Sequence, residues 1–169
     1  AVVGEHGYDV FEGAAHVFRF NGADWVKEAV LYHQPHHLSV YDNFGWSVAV
    51  HGDTIVVGAP YADGLSDDEL DWNLNKGRSF VYRYNGTDSW YLESELAANG
   101  LEEDNLFGYD VSVHGDWVVV GAPSDNDGYG SVSIYVRDNN GVWNHDQTIE
   151  TNYLGSQFGI SVSIYEDRI

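Results

Sequence analysis

The chain has 169 residues, a formal net charge of −20 from 27 Asp plus Glu against 7 Lys plus Arg, no Cys, and an aromatic share of 15%. That length holds one domain with a sizeable core, and the charge repels phosphate backbones and anionic lipid, which argues against nucleic-acid binding and a membrane-surface role. Without Cys there is no disulfide framework, thiolate nucleophile or Cys-ligated zinc, and no apolar run approaches the ~20 residues that span a bilayer.

In chain order, Ala1-Val2-Val3-Gly4 reads as a short apolar strand. His16 to Phe20 alternates apolar and polar side chains, the period-two mark of a strand, and runs into Asn21-Gly22 before Trp25 opens another strand. Phe44-Gly45 begins a strand that turns at His51-Gly52-Asp53 into Thr54 to Pro60, which ends in Gly-Ala-Pro. A long polar loop follows, then the alternating strand Phe80 to Tyr84, Asn85-Gly86, and a strand led by Trp90. The series recurs: Phe107-Gly108, the turn His114-Gly115-Asp116, Val118 to Pro123, a polar loop, Ser133 to Arg137, Asn140-Gly141 and Trp143. Asn-Gly is a strong hairpin signal because both central residues of a type I′ turn take positive φ. No segment shows a helical period.

Repetition therefore organises the chain. FGWSVAVHGDTIVVGAP (Phe44 to Pro60) and FGYDVSVHGDWVVVGAP (Phe107 to Pro123) are complete copies, while FGISVSIYEDRI (Phe158 to Ile169) stops in mid-phrase. Ala1 to Gly4 supplies its continuation, so that Ile169 joined to Ala1 reads DRIAVVG beside DTIVVG and DWVVVG. The repeats are 158–169 plus 1–43, 44–106 and 107–157, within a single domain spanning 1–169. Four short antiparallel strands per repeat predict an all-β chain of three β-propeller blades, one of them split between the termini. The expectation is that the split hairpin is completed by a longer covalent chain or by another copy placed head to tail, giving a ring or a filament. The absence of Met at residue 1 fits a processed or partial chain.

The ordered set of FG, GD, VVGAP, alternating aromatics, NG and Trp resembles the FG-GAP repeat family, known from the propeller heads of integrin α subunits, and the resemblance covers essentially the whole chain. It implies propeller blades and roles in adhesion or assembly outside the cell or at its surface. The family's calcium site lies between the FG and GAP strands; here that connection is Val-His-Gly-Asp, too short to wrap a cation that takes about six to eight oxygens. The chain thus resembles a calcium-poor branch.

Other candidate sites are weighed against plainer readings. Asp63 and Asp67, with Asp68, Glu69 and Asp71, and separately Asp125, Asn126 and Asp127 before Gly128, are candidate calcium ligands in the loops after Gly-Ala-Pro; solvated acidic turns are the plainer reading. His33, His36 and His37 are close enough to ligate a transition metal, against a plain linker. His51 and His114 repeat at one turn position, where the third copy has Tyr165, and are read as structural. Asn85-Gly86-Thr87 is an N-glycosylation sequon on an exposed hairpin, although the turn alone accounts for the Asn. Trp25, Trp90 and Trp143, and also Tyr129, are candidates for stacking on sugars; their periodicity favours blade packing for the Trp residues.

No nucleophile elbow, phosphate loop or His-Glu-x-x-His motif is present, and no cofactor other than calcium is indicated. The sequence thus points to a non-enzymatic extracellular or cell-surface module, structural or adhesive. Its expected partners are proteins: further copies of itself or the rest of a longer repeat chain. The alternatives are a carbohydrate-binding propeller and a propeller attached to an enzyme in a longer chain.

Overall fold

The computed structural model describes residues 1–7, 13–33, 42–62, 75–87, 89–97 and 104–169. Its strands are β1 (Val2–Glu5), β2 (Ala14–Phe20), β3 (Trp25–Leu31), β4 (Ser47–His51), β5 (Thr54–Ala59), β6 (Arg78–Tyr84), β7 (Trp90–Leu96), β8 (Asp110–His114), β9 (Trp117–Ala122), β10 (Ser131–Arg137) and β11 (Trp143–Glu150). They form three sheets, in the orders β1-β2-β3, β4-β5-β6-β7 and β8-β9-β10-β11, with every pairing antiparallel. Each is a blade: the second and third have the FG strand at one edge, then the Gly-Ala-Pro strand, the aromatic strand and the Trp-led strand at the other edge, and the first has the last three of these.

The split repeat is visible as a three-stranded first sheet and an FG segment, Phe158 to Arg168, at the far end of the array. That segment lies along β8: Val162 N donates to Asp110 Oδ2 at 2.7 Å and Ile164 N to Ser112 Oγ at 3.1 Å. Tyr165 and Arg168 bridge as His51 and Thr54 do, so Ile169 falls at the place of Ile55. The pairing of β1 with β2 also puts Ala1 at that place, because Val2 opposes Val17 as Val56 opposes Val81. Ile169 and Ala1 thus occupy one position, and the joined phrase is one residue longer than the complete copies, a correction to the register expected from the sequence.

Burial follows strand position. β5 and β9 lie inside their sheets, β5 with a neighbouring blade on each face and β9 between the second blade and the FG segment, so TIVVGA is buried throughout and WVVVGA at all but Trp117; doubly covered strands need continuous apolar runs. The core is accordingly a series of layers between sheets. Ala15, Val17 and Leu31 of the first blade pack with Phe44, Ile55, Val57, Phe80 and Tyr82 of the second. Val56, Val81 and Leu96 of the second pack with Phe107, Val118, Val120, Tyr135 and Trp143 of the third. Val119, Val132 and Ile134 pack with Ile164 of the FG segment.

The Asn-Gly hairpins form, but not as type I′ turns. Gly22, Gly86 and Gly141 take φ of 101°, 84° and 85°, whereas Asn21, Asn85 and Asn140 are not left-handed. Asn21 and Asn85 instead use the side-chain oxygen to accept backbone N–H groups, from Ala23 and Asp24 and from Thr87 and Ser89. In the third hairpin Asp138 takes that part, accepting from Asn140 and Val142. Asx turns satisfy the loop without a second positive φ.

Candidate interaction surfaces between blades

The FG and Gly-Ala-Pro phrases meet across every blade junction. A Cβ on Gly4, Gly58 or Gly121 would overlap the carbonyl oxygen of Gly45, Gly108 or Gly159 respectively, each on the next FG segment. The FG glycines are left-handed, with φ of 87°, 90° and 90°. Beside them Gly13, Gly77 and Gly130 form parallel bridges to Phe44, Phe107 and Phe158. Glycine is required at these places because backbone meets backbone, leaving no room for a side chain.

At the outer edge the junctions carry charge. Each sheet has a β-bulge in its Trp-led strand: Val17 and Phe18 oppose Ala29 and Lys27, Val81 and Tyr82 oppose Ser94 and Leu92, and Ile134 and Tyr135 oppose Gln147 and His145. The residue passed over is Glu28, Glu93 or Asp146, acidic each time. A bulge re-aims the side chain it frees. Glu28 accepts a fork from Arg19 at 2.7 and 2.8 Å and the indole N–H of Trp90, on the next blade, at 3.3 Å. Glu93 accepts from Arg83 at 2.8 Å on its own blade, and from Arg137 at 2.8 Å and the Trp143 indole at 2.9 Å on the next. Burial pushes the Glu93 carboxyl up, but the bonds from Arg137, Trp143 and Arg83 outweigh it and hold the group below the usual carboxylate range. The fork from Arg19, against the opposing effect of burial and with help from Trp90, lowers Glu28 too.

Two further links recur. The Tyr82 hydroxyl donates to Tyr32 O and the Tyr135 hydroxyl to Ala97 O, each 2.8 Å away on the preceding blade, and burial raises both phenols. At the opposite edge Gly115 N donates to His51 Nδ1 at 3.0 Å and Glu166 N to His114 Nδ1 at 3.2 Å, with the two imidazole centroids 4.4 Å apart. His51 and His114 therefore bind backbone across successive inner turns.

The Trp residues divide accordingly. Trp143 is buried and Trp90 half-buried in junctions, their indole nitrogens on Glu93 and Glu28. Trp25 is 60% exposed and lies 5.5 Å from the ring of Phe20 on the outward face of the first sheet. The outward face of the last sheet carries Asp146, which lines a cleft of about 510 Å³ with His114, Trp117, Ile134 and Ile164.

Asp125, Asn126 and Asp127 form a tight turn with Asn126 and Asp127 left-handed, and Gly130 N donates to Asp125 O at 2.9 Å. Among the described residues no three His, Cys, Asp or Glu side chains gather as a metal set. Asp63, Asp67, Asp68, Glu69 and Asp71 lie outside the described residues, as do His36 and His37. His33 stands 3.7 Å from the buried Asp42 carboxylate and 4.6 Å from the Phe80 ring. Asn85 sits on its exposed hairpin with Nδ2 2.6 Å from Ser89 Oγ. Tyr129 is half-buried, its carbonyl accepting from Ser156 Oγ at 2.7 Å.

Sequence reasoning missed the bulge carboxylates, although the signal was present: an acidic residue stands third after each of Trp25, Trp90 and Trp143. It also missed an inner aromatic group in which the Trp46 ring meets His6, Tyr61 and Tyr109 at 5.0, 5.7 and 5.4 Å.

The repeat motif is matched independently: the FG-GAP repeat describes residues 25–82 and 90–136, more than half of the chain. No curated protein matches the chain. No helix among the described residues is long and apolar enough to cross a membrane.

Proposed function

Because this chain belongs to the FG-GAP repeat family, whose β-propeller-type modules serve protein–protein interaction and are generally non-catalytic, we propose that it is a non-enzymatic structural or adhesive element working outside the cell or at its surface. FG-GAP repeats occur in extracellular and surface proteins. The observation that carries the proposal is the character of the two outward sheet faces. Val3, Phe20 and Trp25, exposed by 51%, 50% and 60%, continue the rows that are buried at internal junctions. The cleft beside Ile134 and Ile164 does the same at the other end. Exposed apolar patches of this kind mark surfaces that bind protein. The partner is a further blade, from another copy or from a longer repeat chain.

Negative-stain electron microscopy over a range of concentrations tests the reading. Rings or filaments that grow with concentration support another copy as the further blade; single particles of 18.8 kDa throughout contradict it.

One observation favours a second reading, carbohydrate binding: Trp25 keeps its ring in solvent next to Phe20, a surface on which a sugar could stack. Binding on a glycan array that disappears in Trp25→Ala, with the fold intact by circular dichroism, would favour it.

A further inference from the structure

The junctions follow one plan, and the first departs from it at a single buried place. Two residues before each FG pair the chain carries Asp42, Asn105 or Ser156. Asn105 is buried, and Ser156 donates its hydroxyl to Tyr129 O at 2.7 Å; both are neutral side chains with a proton to donate. Asp42 is only 6% exposed, and a carboxylate has no donor. Its Oδ1 is buried without a hydrogen-bond partner, and its Oδ2 lies 3.7 Å from His33 Nδ1, beyond hydrogen-bond reach.

His33 is equally particular to this junction. The Tyr82 hydroxyl donates to Tyr32 O as the Tyr135 hydroxyl donates to Ala97 O, so His33 follows the first outer strand where the sequence has Ala98 after the second. Its ring centroid is 4.6 Å from that of Phe80, which is fully buried, so the imidazole is braced on one side while Nδ1 is the atom nearest Asp42. The pair links two blades: His33 lies just past β3, and Asp42 just before the FG residues Phe44 and Gly45.

We propose that His33 and Asp42 anchor a divalent transition-metal site of the zinc class, which clamps the end of the first outer strand to the FG segment of the second blade. A buried carboxylate oxygen without a partner costs stability that a bound cation restores. Two ligands held ~2.0–2.1 Å from one zinc ion stand about 3.3 Å apart at the tetrahedral angle, so the gap between His33 Nδ1 and Asp42 Oδ2 has to close only slightly. His33 coordinates through Nδ1 and keeps its proton on Nε2. Asp42 offers Oδ2 and, as a bidentate ligand, the otherwise unpartnered Oδ1. An imidazole nitrogen in the set selects zinc over calcium, whose ligands are oxygens. Among the described residues these two are the protein ligands, and solvent takes the remaining positions.

Thermal unfolding of the whole chain, stripped with EDTA and then given Zn²⁺ or Ca²⁺, tests the site. Zinc at roughly a hundredfold excess over its Kd should raise the midpoint by about 5 °C or more, because it binds the folded state alone. Asp42→Asn copies Asn105 and His33→Ala copies Ala98, so each variant carries the residue used at the next junction. Each should cut the zinc shift to about 1 °C or less with the fold intact by circular dichroism. Co²⁺ added to the parent should give the visible absorption bands of a four-coordinate ion, lost in both variants; if one variant fails to fold, the other carries the comparison. The proposal is overturned if zinc leaves the parent midpoint unmoved, or moves it equally in both variants, as binding at other histidines would. A calcium shift as large as that of zinc would overturn the assigned metal class.

Discussion

Glu93 gathers two arginines and an indole from two blades onto one carboxylate that is 9% exposed. Losing the charge there leaves those donors facing a weaker acceptor, so Glu93→Gln should cost about 2 kcal/mol in urea unfolding at pH 7. Its folded pKa is lowered, so the stabilisation is complete above the unfolded value of about 4.3 and is lost as pH falls through the lower folded value. The difference between parent and Glu93→Gln should shrink accordingly as the pH is taken below 4.3. At the inner edge the decisive residues are glycines. Gly58→Ala forces a Cβ into the Gly108 carbonyl and should cost about 3 kcal/mol or more, a backbone clash between blades. Gly86→Ala is the control: its φ is 84° but its Cβ would meet open space, so thermal unfolding should register only about 1 kcal/mol, the cost of the left-handed backbone. Equal losses at the two positions would show that the junction tolerates a side chain.

Within a strand, the same residue types do different work according to which face they take. Tyr82 and Tyr135 reach across to the end of the preceding outer strand, and each hydroxyl closes one half-buried bond. Tyr82→Phe and Tyr135→Phe should each lower stability by about 1 kcal/mol by chemical denaturation, because the ring stays packed and one carbonyl loses its donor. The strand order was legible in the sequence because each blade position has its own pattern: FG, continuous Val, alternating aromatic, Trp-led. The inner turns were legible too, as Gly52 and Gly115 at φ of 56° and 59° confirm in the His-Gly-Asp segments. The Asn-Gly turns were located correctly but given the wrong backbone, since Asn has a second use, capping a loop through its side chain, that composition does not separate from a left-handed φ. The bulges were missed because a bulge disrupts the alternation by which strands are recognised. The offset at the split hairpin was missed for a related reason: matching letters fix a phrase, whereas only the pairing of β1 with β2 fixes its register.

Across the whole molecule, the blades are joined by apolar layers, the chain carries a net charge of −20, and the two outward faces mix exposed apolar side chains with charged ones: Val3, Phe20 and Trp25 beside the His16–Glu5 pair on the first sheet, and Ile134 and Ile164 beside Asp146, Glu166 and Asp167 on the last. Association of such chains works against mutual repulsion that salt screens, over a Debye length of about 8 Å at physiological ionic strength. Raising NaCl should therefore strengthen assembly, which light scattering at fixed protein concentration would follow; weakening by salt would mean that ion pairs, not apolar faces, hold the copies together. The central claim, that the outward faces of these blades are protein-binding surfaces, is tested most directly by the native mass of the parent chain as a function of concentration. The account predicts masses rising in whole multiples of 18.8 kDa toward rings or filaments. A mass fixed at one chain across the full range would contradict it.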